Sequence, residues 1–123
     1  MQRVEKPWGF EIIWAKTDVY VGKKLFIRKG HKLSLQYHRE KEETIYLHSG
    51  EMRFTVQKDG QLTEILMRPG DAYHIPPGVQ HRMEAVQDCE VFEASTTQLD
   101  DVVRLEDAYG RAAPPPGKPG DTA

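Results

Sequence analysis

Four side chains with metal-ligating groups lie at regular spacing in two short stretches of the chain. Gln36 and His38 are two residues apart, Glu43 follows five residues later, and His81 comes shortly after a Pro-Pro-Gly turn. Residues two apart on a β-strand point to the same face, so Gln36 and His38 can be directed at one point. We expect Glu43 and His81 to reach that point from neighbouring strands. Two imidazoles, a carboxylate and an amide oxygen suit one borderline divalent ion, with zinc or manganese favoured and iron, nickel or cobalt compatible.

The phase of the surrounding residues supports this interpretation. Glu43 alternates with Ile45 and Leu47, and His81 alternates with Met83 and Ala85. If these apolar residues line the interior of a barrel, Glu43 and His81 also point inward. An inward carboxylate without a partner is costly, and a bound cation removes that cost.

The composition restricts the class of protein. A chain of 123 residues suits one domain, and a formal net charge of -2 gives no electrostatic reason to expect nucleic acid or an anionic membrane as a partner. The single cysteine, Cys89, excludes a disulfide within the chain. The chain shows neither an apolar run of membrane-spanning length nor the apolar core of a signal peptide, so we expect a cytoplasmic protein.

Short apolar segments separated by Gly, Pro and Asp predict an all-β sandwich or barrel. The clearest strand covers residues 51–57, where Met52, Phe54 and Val56 alternate with polar side chains. The Asp-Gly pair that follows predicts a tight hairpin turn. Further strands are predicted at residues 10–14, 20–28, 33–37, 44–48, 62–67, 72–75, 81–86 and 90–95.

The C-terminal region differs from the rest. Residues 99–110 carry spaced apolar side chains that predict a short helix or an irregular docked arm. Residues 111–123 contain four prolines and two glycines, which predicts a flexible tail after a single domain of residues 1–110.

Two motifs resemble those of the cupin family. Residues 30–50 read Gly-x5-Gln-x-His-x4-Glu-x6-Gly and resemble the first cupin motif, and residues 70–81 read Gly-x5-Pro-x-Gly-x2-His and resemble the second. The Gln-x-His pair is similar to that of the phosphomannose isomerases. Residues 6–9 (Lys-Pro-Trp-Gly) and 99–111 look like the C-terminal cupin domain of bifunctional mannose-6-phosphate isomerases. The resemblance implies a cupin jelly-roll barrel that holds a metal at residues 36, 38, 43 and 81.

The chain departs from the bifunctional isomerases at three motif positions. The family arginine that is important for isomerisation falls on Lys41, and the histidine after the glutamate falls on Thr44. The asparagine that often closes the second motif is Ala85. Lysine keeps the positive charge but loses the planar fork of arginine. The metal ligands of the family are therefore better matched in this chain than its catalytic residues.

The expected function is metal-assisted chemistry on a sugar or sugar phosphate, of the aldose–ketose isomerase type. A divalent ion with one carboxylate ligand has a net charge of roughly +1, which favours oxygen-rich or anionic molecules. Isomerisation also needs a base, and the candidate catalytic residues are Lys41, His74 and Tyr73. Two alternatives stay open, namely a non-haem iron oxygenase that uses two histidines and a carboxylate and a non-catalytic sugar-binding module.

We also expect a homodimer. The barrel is small, and an isolated sheet edge is a liability that pairing removes. The N-terminal segment offers several large apolar side chains for such an interface, namely Trp8, Phe10, Ile12, Ile13 and Trp14.

Overall fold

The computed structural model describes residues 1–111, which form an all-β structure. Nearly all of the predicted tail, residues 112–123, lies outside the described residues. Within residues 1–111 no helix is long and apolar enough to cross a membrane. The eleven strands in this part of the chain are β1 (Gln2–Lys6), β2 (Gly9–Lys16), β3 (Val21–Ile27), β4 (Leu35–Tyr37), β5 (Glu43–Ser49), β6 (Met52–Lys58), β7 (Gln61–Met67), β8 (Ala72–Ile75), β9 (His81–Ala85), β10 (Cys89–Ser95) and β11 (Val103–Glu106).

The strands form two antiparallel sheets that pack around one apolar core. One sheet has the order β1-β2-β3-β10-β5-β8, and the other has the order β11-β4-β9-β6-β7. This arrangement confirms the predicted jelly-roll barrel. The largest fully buried side chains come from both sheets and include Phe54, Ile27, Ile45, Leu47, Met52, Met67 and Ile75.

Strict alternation along the strands decides which side chains face the core. On β6, Met52, Phe54 and Val56 are buried as predicted. On β5, Glu43 is buried in the same phase as its apolar neighbours, whereas the residues between them are exposed. The strand that carries the candidate carboxylate therefore directs it inward.

The predicted Asp-Gly hairpin turn is present between β6 and β7. Asp59 and Gly60 have positive φ angles of 52° and 76°, and Lys58 pairs with Gln61 across the turn. Both central residues thus adopt the left-handed conformation that a two-residue hairpin requires.

One strand was not expected from the sequence, and the C-terminal segment takes one of its two predicted forms. The strand β1 was not predicted, because Gln2–Lys6 is mostly polar and is an edge strand that pairs only with β2. The segment 99–110 contains no helix. It is a docked arm whose strand β11 pairs with β4, so that Val103 lies opposite Tyr37 and Arg104 opposite Gln36. Pairing with an open sheet edge outweighs the weak helical spacing of its apolar residues.

The turn after β5 gives a stability prediction that separates steric contact from backbone conformation. Gly50 and Gly60 both have positive φ, but a Cβ at Gly50 would lie 2.2 Å from the carbonyl oxygen of Asp88, whereas a Cβ at Gly60 would meet nothing within 4 Å. We expect Gly60→Ala to lower the free energy of unfolding by about 1 kcal/mol and Gly50→Ala by about 3 kcal/mol or more. Urea denaturation measures both, and equal losses would contradict the close contact at Gly50.

Candidate metal centre

Three strand ends bring the two histidines and the glutamate together. His38 directly follows β4, while Glu43 begins β5 and His81 begins β9. The three residues come from both sheets, and each is at most 3% exposed. Because the sheets face each other across the core, strand ends from both can reach one point at the mouth of the barrel.

The ligating atoms lie close enough to share a single ion. Glu43 Oε1 is 2.7 Å from His38 Nε2 and 3.4 Å from His81 Nε2. One donor atom from each of the three residues lies within 4.8 Å of the other two. The structure thus assembles a two-histidine, one-carboxylate cluster; its ligation of a metal stays a prediction.

Backbone carbonyls fix the orientation of both imidazoles. His38 Nδ1 is 2.5 Å from the carbonyl oxygen of Asp101, and His81 Nδ1 is 2.9 Å from that of Val79. A carbonyl oxygen only accepts, so each Nδ1 donates its proton outward and each Nε2 faces Glu43. Metal-ligating histidines commonly show this arrangement, with the outer nitrogen held by a carbonyl or carboxylate.

One inward nitrogen of the cluster has no partner among the described residues. His81 Nε2 is buried and has no hydrogen-bond partner within residues 1–111. Burial alone would raise the pKa of Glu43, but its close contacts with the imidazoles of His38 and His81 and the positive charge of Lys41 hold it well below its usual range. An ionised carboxylate and two imidazole nitrogens therefore converge, and a divalent cation satisfies all three.

Gln36, the fourth predicted ligand, lies beside this cluster. It pairs with His81 across the β4–β9 ladder and lines the same cavity as His38. Its Oε1 accepts a hydrogen bond from the Ser34 hydroxyl at 2.6 Å. An amide oxygen has a second lone pair, so this contact leaves Gln36 able to ligate a cation.

The loop that carries His38 is held by the C-terminal arm. The carboxylate of Asp101 accepts hydrogen bonds from the backbone N–H groups of Arg39, Glu40 and Lys41 at 2.7–3.0 Å. Burial opposes ionisation of Asp101, but these three donors lower its pKa. The same residue thus supports His38 through its carbonyl and the following loop through its side chain.

Lys41 forms a buried ion pair near the cluster. Its Nζ donates to Glu93 Oε2 at 3.2 Å, and both side chains are 6% exposed. Burial alone would lower the pKa of Lys41, but the carboxylates of Glu93 and Glu43 raise it. Burial and then the charge of Glu43 raise the pKa of Glu93 to about 8. Lys41 thus lies between two carboxylates, those of Glu93 and Glu43, and balances the negative charge that they share.

The other two candidate catalytic residues lie away from the cavity. His74 is exposed on the outer face of β8 and contacts the carboxylate of Glu42. The Tyr73 ring packs against Phe54 in the barrel, with ring centroids 5.1 Å apart. Of the three candidates, only Lys41 lines the cavity beside His38.

The cavity beside the cluster is strongly cationic. Five basic side chains line it, namely Lys6, Lys23, Lys41, Arg104 and Arg111. Two carboxylates share the lining, and Glu11 accepts from Lys23 at 3.4 Å while Glu93 pairs with Lys41. A polar cavity with more cations than carboxylates suits an anionic, hydroxyl-rich molecule.

Lys23 and Glu93 belong to the site although neither was predicted from the sequence. Alternation gave a usable signal, because Lys23 lies between Val21 and Leu25, and Glu93 follows the buried Val91 in the same phase. A charge in phase with core residues has to be paired inside the barrel.

A jelly-roll barrel with two histidines and a glutamate at its mouth defines the cupin class. The family model described as a cupin domain matches residues 25–94, which is more than half of the chain. The chain therefore belongs to the cupin family.

Curated relatives come from bacterial polysaccharide and sugar-nucleotide proteins. The chain is 30% identical over 115 residues to mannose-1-phosphate guanylyltransferase ManC of Salmonella typhimurium and to xanthan biosynthesis protein XanB of Xanthomonas campestris. It is 29% identical over 117 residues to alginate biosynthesis protein AlgA of Pseudomonas aeruginosa. These matches cover 89–91% of this chain but only 23–24% of each relative, so the chain spans about a quarter of their length.

Solved structures agree on the fold. KdgF from Halomonas sp. superposes with a TM-score of 0.69 at 18% identity, covering 81% of this chain and 91% of that one. An oxalate decarboxylase variant from Bacillus subtilis gives 0.72 at 17% identity, covering 85% of this chain and 30% of the other. At these identities the likeness concerns the barrel alone.

The cluster predicts tight binding of one divalent ion. Protein purified without added metal or chelator should contain about one equivalent by elemental analysis, and removing it should lower the melting temperature because the ion binds only the folded state. Affinity should fall as the pH drops below about 6.5, since histidines ordinarily gain a proton there and the ion needs them neutral.

A matched pair of variants checks where the ion binds. His81→Gln removes a cluster nitrogen and should abolish the metal-dependent rise in melting temperature. His48→Gln changes an exposed histidine on β5 and should preserve it. An unchanged melting temperature on chelation of the wild-type protein would contradict a structural role for the metal.

Proposed function

We propose that this cupin binds one divalent metal and acts on a sugar or sugar phosphate by aldose–ketose isomerisation, resembling the mannose-6-phosphate isomerases. The observation that carries the proposal is the buried His38–Glu43–His81 cluster beside a cationic, polar cavity. The relatives support the substrate class, since several are mannose-1-phosphate guanylyltransferases.

Gln36, His38, Glu43 and His81 would hold the metal, with zinc or manganese favoured over iron, nickel or cobalt. A bound divalent ion polarises a carbonyl and stabilises negative charge on the adjacent oxygens. The chain itself has to orient the sugar, donate hydrogen bonds to its oxygens and move a proton between neighbouring carbons.

Lys41 and Glu93 are the groups of the cavity that suit these tasks. Lys41 lines the cavity two residues before Glu43, so its ammonium can donate to a sugar oxygen close to the metal ligands. Glu93 is a carboxylate within hydrogen-bond distance of Lys41 and lines the same cavity, where it can accept a proton. Tyr73 and His74, the other two candidates, do not line this cavity.

Two of the positions at which the chain departs from the bifunctional isomerases differ in whether they line the cavity. Thr44 lies on the outer face of β5 opposite His74, so a change from histidine there leaves the cavity lining unaltered. Lys41 lies on the cavity, so the change from arginine alters the donor that faces the sugar.

Two other functions each have one observation in their favour. A non-catalytic sugar-binding module fits the engagement of Lys41 by Glu93, because the ion pair occupies the donor that isomerisation would use. An oxygenase fits the cluster of His38, Glu43 and His81, because two histidines and one carboxylate leave open metal positions. Identifying the bound metal distinguishes the oxygenase, for which iron is expected, from the isomerase, for which zinc or manganese is expected. A turnover assay with hexose phosphates distinguishes the isomerase from the binding module.

The isomerase proposal is tested with metal-loaded protein and mannose 6-phosphate, by measuring fructose 6-phosphate. We expect turnover by the wild type, a loss of about a hundredfold in kcat/KM for Lys41→Gln, and retained activity for Lys41→Arg, because one donor to developing oxyanion charge has that typical effect. The control Lys24→Gln removes a cation on the outer face of β3 that pairs with Glu90 and should leave the rate unchanged. Sugar binding without turnover in the wild type would favour the binding module.

We also propose a homodimer, with an interface that differs from the first expectation. Trp8 is only 3% exposed and packs in its own barrel, so it cannot serve an interface. Trp14 is 53% exposed and lies over Gly22, and Val19 and Tyr20 are exposed nearby in the chain.

Sedimentation at micromolar concentration should give a dimer that Trp14→Ser weakens. A single species near the 14.1 kDa chain mass would contradict the dimer.

A further inference from the structure

We propose that Arg104, on the C-terminal arm, binds a phosphomonoester and makes the cavity selective for phosphorylated over free sugars. The inference rests on the proposed function for the identity of the sugar, but the anion site itself follows from the charges and register of the arm.

Strand pairing places Arg104 in line with the metal cluster. Arg104 lies opposite Gln36 on β4, and Gln36 lies opposite His81 on β9. Directly opposed residues of antiparallel strands share a face, so the three side chains form a row across the sheet. With strands about 4.8 Å apart, Arg104 is about 10 Å from His81. A sugar that contacts the metal with one end can extend along this row and present its phosphate to Arg104.

Among the described residues, Arg104 is the cation of the cavity that forms no salt bridge. Lys23 and Lys41 each pair with a carboxylate, and Lys6 lies 4.0 Å from Glu11. Arg111 makes a two-pronged contact with Asp107, at 2.9 and 3.0 Å. Arg104 makes no salt bridge to any residue between 1 and 111, and its Nε is buried without a hydrogen-bond partner. A buried guanidinium N–H without an acceptor calls for one from outside the chain.

The neighbouring cations strengthen the case for an anion. Lys6, Arg104 and Arg111 line the same cavity, and the charges of Arg104 and Arg111 act on Lys6. Burial and then the positive charge of Arg111 lower the pKa of Arg104, and burial lowers the pKa of Lys6, with Lys23, Arg104 and Arg111 adding to the effect. Mutual repulsion of this kind is relieved by a dianion between the three groups. A guanidinium also matches phosphate oxygens in a two-pronged geometry that lysine lacks.

Calorimetry on the zinc-loaded full chain tests this site, with inorganic phosphate, mannose 6-phosphate and mannose as probes. We expect mannose 6-phosphate to bind more tightly than mannose. Arg104→Gln should weaken binding of both phosphate probes at least tenfold while mannose binding changes less than twofold. Arg104→Lys should give an intermediate loss. The control Arg53→Gln removes the same charge from the outer face of β6 and should change nothing.

The outcomes separate this inference from the proposed function. If phosphate probes bind equally well to wild type and Arg104→Gln, or do not bind the wild type at all, the phosphate site is overturned even if mannose 6-phosphate is isomerised. If inorganic phosphate binds in an Arg104-dependent manner and no sugar is turned over, the phosphate site stands and the isomerase proposal fails. Should Arg104→Gln not fold, the comparison of wild type with Arg104→Lys decides, and equal phosphate affinity there would overturn the site.

Discussion

A carboxylate that is almost fully buried needs positive charge beside it, and in this barrel that carboxylate is Glu43. Two imidazole nitrogens face it, and both rings are committed by backbone carbonyls to donate outward from their other nitrogen. The ring orientations follow from the loops around Asp101 and Val79. Much of the surrounding structure therefore serves to hold three electron-rich groups together at one point, an arrangement that a divalent cation completes.

The C-terminal arm links this point to the rest of the cavity. Asp101 holds the loop after His38, and β11 then runs beside β4, which places Arg104 next to Gln36. The arm thus supports a metal ligand and also supplies part of the cationic wall. Charged side chains of the arm and of the barrel thus line the cavity, while apolar residues fill the core of the barrel.

Local sequence patterns predicted the parts of this structure that depend on local geometry. Alternation and motif spacing identified His38, Glu43 and His81, and the Asp-Gly pair identified the turn at Asp59. The sequence could not predict the register of β11 on β4, because that pairing joins residues far apart in the chain. The role of Arg104 depends on that register. The alternation of His74 with Tyr73 and Ile75 left its role open from the sequence, and His74 is exposed on β8 and absent from the cavity lining.

X-ray absorption at the edge of the metal carried by the purified protein tests the central claim most directly. The account predicts a first shell of nitrogen and oxygen only, at about 2.0–2.2 Å for a zinc-like ion. It also predicts outer-shell scattering from two imidazole rings, those of His38 and His81. A spectrum of a hydrated ion without imidazole scattering, or a first shell that contains sulfur from Cys89, would contradict it.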